Sequence, residues 1–292
     1  MTTTRSARTA VNQHILTLSC PERPGIVHAV TSFLVGEGCD ITEHQQFDDP
    51  DNGTVFLRTS FTAPAGTDAA QLEERFAATA EAYAMDWRLR DAATKPRVLV
   101  MVSKFDHCLA DLLYRWRSGT LDGDIALVVS NHADLREQVE QAGVEFVHVP
   151  VTRDTKAAAE ERLLRLVDEH AIDLVVLARY MQILSDDLCK SLEGRAINIH
   201  HSFLPSFAGA KPYHQAHARG VKLVGATAHY VTADLDEGPI IEQEVIRVDH
   251  RQSAQELVLV GRDAERLALA RAVNWHCQSR VLLHGNRTVI FN

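Results

Sequence analysis

The stretch Arg97-Val98-Leu99-Val100-Met101-Val102-Ser103 holds five consecutive apolar residues and then runs into a polar loop. Similar apolar runs follow at residues 125–130, 145–149 and 174–178. Apolar runs without alternation are typical of parallel strands that are buried on both faces. Residues 155–170, between two of these runs, carry apolar side chains at helical spacing. This strand–helix alternation predicts an α/β fold with an open, doubly wound, mostly parallel sheet over residues 97–292.

The first ninety or so residues have a different pattern. Strand-like and helix-like segments follow one another in the order βαββαβ, which is the ferredoxin-like pattern. Their predicted bounds are 14–20, 26–35, 40–47, 54–61, 68–85 and 86–90. Residues 91–96 are the expected linker. We therefore predict a small domain over residues 1–91 and a large domain over residues 97–292.

The composition excludes several classes of protein. The chain has 292 residues and a formal net charge of −9, which disfavours nucleic acid as the main partner. Its five cysteines form no CxxC pair, as expected for reduced thiols. No apolar run approaches the ~20 residues of a membrane helix, and the polar start MTTTRSARTAVNQ lacks a signal-peptide core. We expect a cytoplasmic protein without a membrane partner.

The end of the chain is predicted to be a long helix. Ser253 and Glu256 have the spacing of a capping box. The apolar residues that trace one helical face are Leu267, Ala270, Val273, Cys277 and Val281.

A candidate site follows the apolar segment that ends in Asn198-Ile199-His200 and opens into a Pro/Gly-rich loop. Residues i and i+2 of a strand point to the same face, so the Asn198 amide and the His200 imidazole should project together. Such a pair suits the stabilisation of an oxyanion and the movement of a proton. A loop held by ordinary hydrogen bonds is the alternative interpretation.

A second candidate site is the acidic loop within residues 229–241. Asp234 and Asp236 either share a face or have the chain turn between them. An acid placed here could orient a histidine and support its protonated form. A plain hairpin turn, in which Asp and Gly are common, is the alternative.

A metal site is not predicted, although five histidines crowd this region. His214 and His217 could share a metal on a helix, but there is no HExxH motif and no nearby cysteine. We expect the adjacent His200 and His201 to point apart. A phosphate-binding loop is also disfavoured, because the turn at residues 103–111 has no glycine.

These motifs together resemble the signature of the folate-dependent formyltransferase family. The matching segments are Asn198-Ile-His200, Ser202-Phe-Leu-Pro205, Gly209 and Asp236-Glu-Gly-Pro-Ile-Ile241, with His229 seven residues before Asp236. The resemblance covers residues 97–290 and implies that the catalytic residues are Asn198, His200 and Asp236. It also implies folate contacts at Met181, Gln182, Ile183, Leu184, Ala233 and Asp234.

The resemblance is strongest to the hydrolytic members of that family. It implies hydrolysis of 10-formyltetrahydrofolate to tetrahydrofolate and formate, with formate supplied to purine synthesis and no cofactor or metal. Transfer of the formyl group to an amine acceptor uses the same three residues and stays an alternative. A non-catalytic folate or amino-acid sensor is a third possibility, which the intact set of three residues disfavours.

The small domain resembles an ACT domain, a regulatory module that often binds amino acids. The segment Pro21-Glu-Arg-Pro-Gly-Ile-Val27 is similar to its first turn. The resemblance implies an amino-acid effector near Pro24 and Gly25, where helix N–H groups can receive a carboxylate. It also implies a homo-oligomer, a dimer or a tetramer, because ACT-like units commonly pair across subunits.

Overall fold

The structure, a computed structural model, describes residues 12–204 and 212–292, without the side chain of Pro212. It divides into two compact units. The small unit runs to Thr94 and includes Phe291 and Asn292, and the large unit is Lys95–Ile290. Within the described ranges, no helix is long and apolar enough to cross a membrane.

The small unit has the predicted βαββαβ order. Its elements are β1 (Gln13–Pro21), α1 (Ile26–Gly36), β2 (Asp40–Asp49), β3 (Thr54–Thr62), α2 (Ala69–Ala82) and β4 (Asp86–Asp91). The strands form an antiparallel sheet in the order β2-β3-β1-β4. Phe61 and Phe76 are fully buried between the sheet and the helices. The ferredoxin-like arrangement is confirmed.

The large unit contains a seven-stranded sheet. Its elements are β5 (Arg97–Val102), α3 (His107–Arg117), β6 (Asp124–Ser130), α4 (Arg136–Gln141), β7 (Glu145–His148), α5 (Lys156–Glu169), β8 (Leu174–Leu177), α6 (Asp186–Ser191), β9 (Ala196–His200), α7 (Pro212–Arg219), β10 (Leu223–Tyr230), β11 (Ile240–Arg247), α8 (Ala254–Cys277), β12 (Val281–His284) and β13 (Arg287–Ile290). The sheet order is β11-β10-β9-β8-β5-β6-β7. Strands β5 to β9 pair in parallel, and β10 and β11 add an antiparallel edge. The predicted open, mostly parallel sheet is confirmed.

Strand β5 explains why the apolar run at its centre does not alternate. Val98 and Val100 pack into a core with α3 and α8, whereas Leu99 and Met101 pack into a second core with α5. Both faces of the strand are therefore covered by helices, which requires an apolar residue at every position.

The end of the chain differs from the prediction in one respect. The capping box of Ser253 and Glu256 is present, and α8 ends at Cys277. Ser279 then adopts a left-handed φ of 53°, and a short hairpin follows instead of more helix. Val281 was predicted on the helix face but lies in β12. Its apolar side chain satisfied the helical pattern even though the backbone had already turned.

Gly261 of α8 packs against Tyr213 of α7, so a larger side chain at position 261 tests how tightly the large unit is packed. A Cβ atom at Gly261 would lie 2.1 Å from Cζ of Tyr213. We expect Gly261→Ala to lower the free energy of unfolding by about 1–3 kcal/mol, the usual effect of overpacking a core. Urea unfolding measures this change. In a Tyr213→Ala background, the same substitution should be nearly neutral, and an equal loss in both backgrounds would contradict the packing explanation.

Candidate active site

The candidate site forms where β9 ends. Asn198 pairs with Leu177 of parallel strand β8 on one side and with His229 of antiparallel strand β10 on the other. His200 is the last residue of β9. The period of two in the strand places the side chains of Asn198 and His200 on one face, at the carboxyl end of the sheet.

The loop after β10 brings Asp236 to the same place. The Tyr230 N–H donates to the Pro239 carbonyl at 2.9 Å, which folds residues 231–239 back over the strand end. Gly238 is needed for this approach, because a Cβ atom there would lie 1.8 Å from the Tyr230 carbonyl oxygen. Asp236 has a left-handed φ of 59°. Of the two alternatives for the acidic loop, the chain turns between Asp234 and Asp236.

Asn198, His200 and Asp236 meet in space. His200 Nδ1 lies 3.1 Å from Asp236 Oδ2, and Asn198 Nδ2 donates to Asp236 Oδ1 at 3.5 Å. Burial acts to raise the pKa of Asp236, but hydrogen bonds from His200 and His229 outweigh it and hold that pKa well below its ordinary value. The three residues can therefore combine an amide donor, an imidazole and an ionised carboxylate around one point.

His229 is a fourth member that the sequence patterns did not assign to the site. Its Nδ1 lies 2.9 Å from the Tyr230 carbonyl, which fixes a proton on that nitrogen. The neutral ring then accepts from Asn198 Nδ2 through Nε2 at 3.2 Å, and the same Nε2 lies 3.7 Å from Asp236 Oδ1, within ion-pair distance. His229 thus fixes the orientation of the Asn198 amide.

Ser202 contacts the other nitrogen of His200. Its Oγ lies 2.8 Å from His200 Nε2, so Ser202, His200 and Asp236 are linked in a row. Ser202 is buried and does not line the cleft described below, and its carbonyl accepts from Thr227 Oγ1 at 3.0 Å. This placement supports a role in positioning the imidazole rather than in attacking a substrate.

A cleft of about 1040 Å³ opens in front of this group. It is lined by Asn198, His200, His229 and Asp236 and by all the residues that the resemblance implies for folate, namely Met181, Gln182, Ile183, Leu184, Ala233 and Asp234. Met181, Ile183 and Leu235 are large apolar side chains that remain exposed at the cleft. Such exposed apolar surface beside polar groups is typical of a ligand site.

The remaining candidate positions, apart from His214, do not line the cleft. Pro24 and Gly25 are exposed at the start of α1, where Gly25 has a φ of 96°. His214 and His217 are exposed on α7. The motif residues Pro205 and Gly209, and residues 1–11 of the N-terminal segment, lie outside the described residues.

His200 and His201 do not point apart as expected. Their ring centroids are 5.2 Å apart. The alternation of side chains fails because β9 ends at His200, so His201 already belongs to the loop. Burial, followed by the nearby charges of Arg179 and His200, lowers the pKa of His201 to about 4. His201 is therefore a neutral neighbour of the site near pH 7.

A second polar cluster within the cleft has no counterpart in the sequence prediction. Glu265 of α8 accepts from Tyr213 Oη at 3.0 Å and lies 2.7 Å from His107 Nε2 and 3.4 Å from Arg179 Nε. His107 opens α3, after a turn that lacks the glycines a phosphate-binding loop would need, and its side chain contacts α8 through Glu265. Only the absence of glycine at residues 103–111 hinted at this difference.

This second cluster is a poor metal site. His107, Cys108 and Glu265 bring their ligand atoms within 4.8 Å of one another, the only such group among residues 12–204 and 212–292. Burial raises the pKa of the Cys108 thiol well above its ordinary value, so the thiol stays protonated. The Glu265 carboxylate is already bonded to His107 and Tyr213.

Comparisons with known proteins show the family of this chain. Residues 96–273 match the sequence family described as formyl transferase. A formyltetrahydrofolate deformylase of a Corynebacterium species is 56% identical over 95% of this chain and 98% of that protein. The crystal structure of a formyltetrahydrofolate deformylase from Burkholderia mallei superposes with a TM-score of 0.92 at 52% identity, over 96% of this chain and 100% of that chain. Glycinamide ribonucleotide transformylase 1 from Symbiobacterium toebii superposes with a TM-score of 0.63 at 30% identity, over 68% of this chain and 95% of that chain.

The chain therefore belongs to the formyl transferase family, as its fold and the group at Asn198, His200 and Asp236 already indicated. Among these relatives, the proteins named formyltetrahydrofolate deformylase match over nearly the whole of both chains, whereas the transformylase matches over about two thirds of this one.

The lowered pKa of Asp236 predicts a pH dependence of stability. Because the native pKa lies below the ordinary value of about 3.9, the carboxylate stabilises the fold above that value and ceases to do so as the pH falls through the native pKa. The difference in the free energy of unfolding between wild type and Asp236→Asn should therefore shrink between about pH 5 and pH 3. Urea unfolding checks it, with Asp234→Asn as the control. A difference independent of pH would contradict the assigned contacts.

Proposed function

We propose that the protein hydrolyses 10-formyltetrahydrofolate to tetrahydrofolate and formate. The observation that carries this proposal is the contact of His200 with Asp236 beside Asn198, in a cleft with exposed apolar walls. The similarity to proteins named formyltetrahydrofolate deformylase, over 95% and 96% of this chain, supports the same substrate.

The reaction requires stabilisation of one tetrahedral intermediate. Water attacks the formyl carbon, and the carbonyl oxygen becomes an oxyanion that accepts from Asn198 Nδ2 and from protonated His200. A donor of this kind contributes about 3–4 kcal/mol in well-studied oxyanion holes. The weak Asn198–Asp236 contact of 3.5 Å can be exchanged for the oxyanion while the contact with His229 keeps the amide in place.

Asp236 has two roles in this scheme. As an ionised carboxylate next to His200, it supports the imidazolium form. It also accepts the proton that the attacking water loses. Collapse of the intermediate then breaks the bond between the formyl carbon and N10, and the proton held by Asp236 passes to N10. The formic acid that forms loses its proton to solvent, so the products are formate and tetrahydrofolate, with Asp236 ionised again.

The segments that flank the group form the folate site in this proposal. Residues 181–184 follow β8, and the Met181 N–H donates to Ser103 Oγ at 3.0 Å. Ser103 Oγ in turn donates to Asn131 Oδ1 at 2.8 Å. This buried network fixes the segment, so that its exposed apolar side chains can contact a flat pterin ring. Residues 233 and 234 also line the cleft, on the loop that carries Asp236.

The deciding experiment supplies 10-formyltetrahydrofolate without any amine and follows formate and tetrahydrofolate. Stoichiometric formation of both supports the proposal. The similarity to glycinamide ribonucleotide transformylase makes amine transfer the second candidate, so parallel reactions contain glycinamide ribonucleotide or a sugar amine. Turnover only in the presence of an amine would replace hydrolysis by transfer, and bound folate without turnover would point to a sensor.

Asp236 and Ser202 allow a matched test of the assigned roles. We expect Asp236→Asn to lower kcat by at least about 100-fold, since it removes a positioned acid–base group while keeping the size of the side chain. Ser202→Ala should keep activity within about tenfold of wild type, because the loss of one neutral hydrogen bond is worth only ~1 kcal/mol. Steady-state kinetics measures both. If Ser202→Ala were the inactive variant, a serine nucleophile would replace direct attack by water.

We infer that the activity needs no cofactor or metal. The chemistry above uses only an amide, an imidazole and a carboxylate. In the group of His107, Cys108 and Glu265, the Glu265 carboxylate is already bonded to His107 and Tyr213. The formate-release reaction is therefore repeated after exhaustive chelation, with an unchanged kcat expected. Loss of activity that zinc alone restores would overturn this inference.

We further infer a cytoplasmic location and a supply of formate to purine synthesis. All five cysteines are free and buried, which fits a reducing compartment.

The small unit is proposed to be an ACT-like regulatory domain that binds a small amino acid near Pro24 and Gly25 and pairs between subunits. The βαββαβ order supports the domain type, and open sheet edges need a cover. Light scattering of the full chain should give at least a dimer of the 32.4 kDa chain. A panel of amino acids should include one that changes turnover or the melting temperature. A monomeric mass would refute the pairing, and a panel without effect would refute the effector.

A further inference from the structure

Arg179 is a buried cation with unused hydrogen-bond donors. It lies just after β8, and its side chain lines the cleft with only 10% of its surface exposed. Its Nε is 3.4 Å from Glu265 Oε2 but is not aligned for a hydrogen bond. Within residues 12–204 and 212–292, the guanidinium makes no hydrogen bond. A buried guanidinium without hydrogen-bonded acceptors is costly, so its donors indicate a missing partner with acceptor oxygens.

Glu265 does not supply the acceptor oxygens for Arg179. Its two oxygens are bonded to the Tyr213 hydroxyl and to His107 Nε2, at 3.0 and 2.7 Å. Glu265 is almost fully buried, at 1% exposure, and therefore acts as a fixed support for the groups around it. Arg179 lies beside this carboxylate and lines the cleft.

The surroundings of Arg179 favour an anion. The ring of Phe105 lies under two guanidinium groups, with Arg179 Cζ at 5.4 Å and Arg262 Cζ at 5.5 Å from its centroid. Arg262 also lines the cleft. Around Phe105, these two arginines have the single carboxylate of Glu265 beside them, whereas Asp234, Asp236 and Glu237 line other parts of the cleft. The planar fork of a guanidinium matches the two oxygens of a carboxylate.

This cationic end of the cleft is joined to the catalytic end by side chains in contact. The ring centroid of His201 is 5.2 Å from that of His200 and 6.5 Å from that of Tyr213. Tyr213 then donates to Glu265. An anion released at His200 and Asp236 therefore has Arg179 within the same cleft, beyond the side chains of His201, Tyr213 and Glu265.

We propose that Arg179, with Arg262 beside it, forms a carboxylate subsite that binds the formate ion produced at His200 and Asp236. This inference rests on the proposed hydrolysis for the identity of the ion. A carboxylate of the substrate's glutamate portion has the same chemistry, so the test separates the two sources.

The experiment measures binding of ¹³C-formate to the full chain by NMR line broadening, without folate and in a buffer free of carboxylates. Wild type should broaden the signal in a saturable manner. Arg179→Met should weaken the affinity by about tenfold or more, as expected for the loss of charge-assisted hydrogen bonds. The formate affinity of Arg179→Lys should lie between those of wild type and Arg179→Met, because an ammonium keeps the charge without the planar fork of donors. The matched control is Arg266→Met, which removes a partly exposed arginine that pairs with Asp263 within α8.

The outcomes separate this inference from the proposed function. No saturable broadening with wild type, or equal affinity in Arg179→Met, would overturn the subsite. If Arg179→Met does not fold, Arg179→Lys and Arg262→Met are compared with wild type instead. Wild-type affinity for formate in both variants would then overturn the subsite. Formate binding that depends on Arg179 in a protein that releases no formate would refute the hydrolysis alone.

A second arm tests the glutamate source. Tetrahydrofolate and tetrahydropteroate, which lacks the glutamate, are bound to wild type and to Arg179→Met. If Arg179→Met changes the affinities for tetrahydrofolate and tetrahydropteroate by the same factor, formate is supported as the occupant. A loss of affinity confined to tetrahydrofolate would assign Arg179 to the glutamate carboxylate and overturn the proposal.

Discussion

The hydrogen bond between His200 Nδ1 and Asp236 Oδ2 is the contact on which the rest of the site depends. It joins the end of β9 to a loop that follows β10, so it forms only if both strands are correctly placed in the sheet. Gly238 lets that loop fold back against Tyr230, and the surrounding imidazoles hold the Asp236 carboxylate in its ionised form. The same contact sets the charge that the proposed chemistry needs.

Two polar clusters share one cleft and have different tasks. The cluster at His200 and Asp236 faces the proposed reaction centre. The cluster at Glu265 ties the first turn of α3 to α8, because His107 and the Glu265 carboxylate meet there. The turn before α3 also lacks the glycines that a phosphate-binding loop uses.

The sequence allowed the sheet and the centre of the site to be predicted, for local reasons. Uninterrupted apolar runs require strands buried on both faces, and the period of two aligns Asn198 with His200. The contact of Asn198 with His229 depends on the antiparallel register of β9 and β10, which no local pattern specifies. The contact of His107 with Glu265 joins two helices far apart in the chain. The final hairpin was missed because Ser279 turns the backbone without a glycine.

The most direct measurement is a crystal structure of the Asp236→Asn variant with 10-formyltetrahydrofolate bound, since this variant should bind substrate and turn it over slowly. We expect the formyl oxygen to accept hydrogen bonds from Asn198 Nδ2 and from His200 Nε2, which exchanges its contact with Ser202 Oγ for the formyl oxygen. The pterin should lie between residues 181–184 and 233–234. A formyl carbon next to Ser202 Oγ, or a folate bound away from Asn198 and His200, would contradict it.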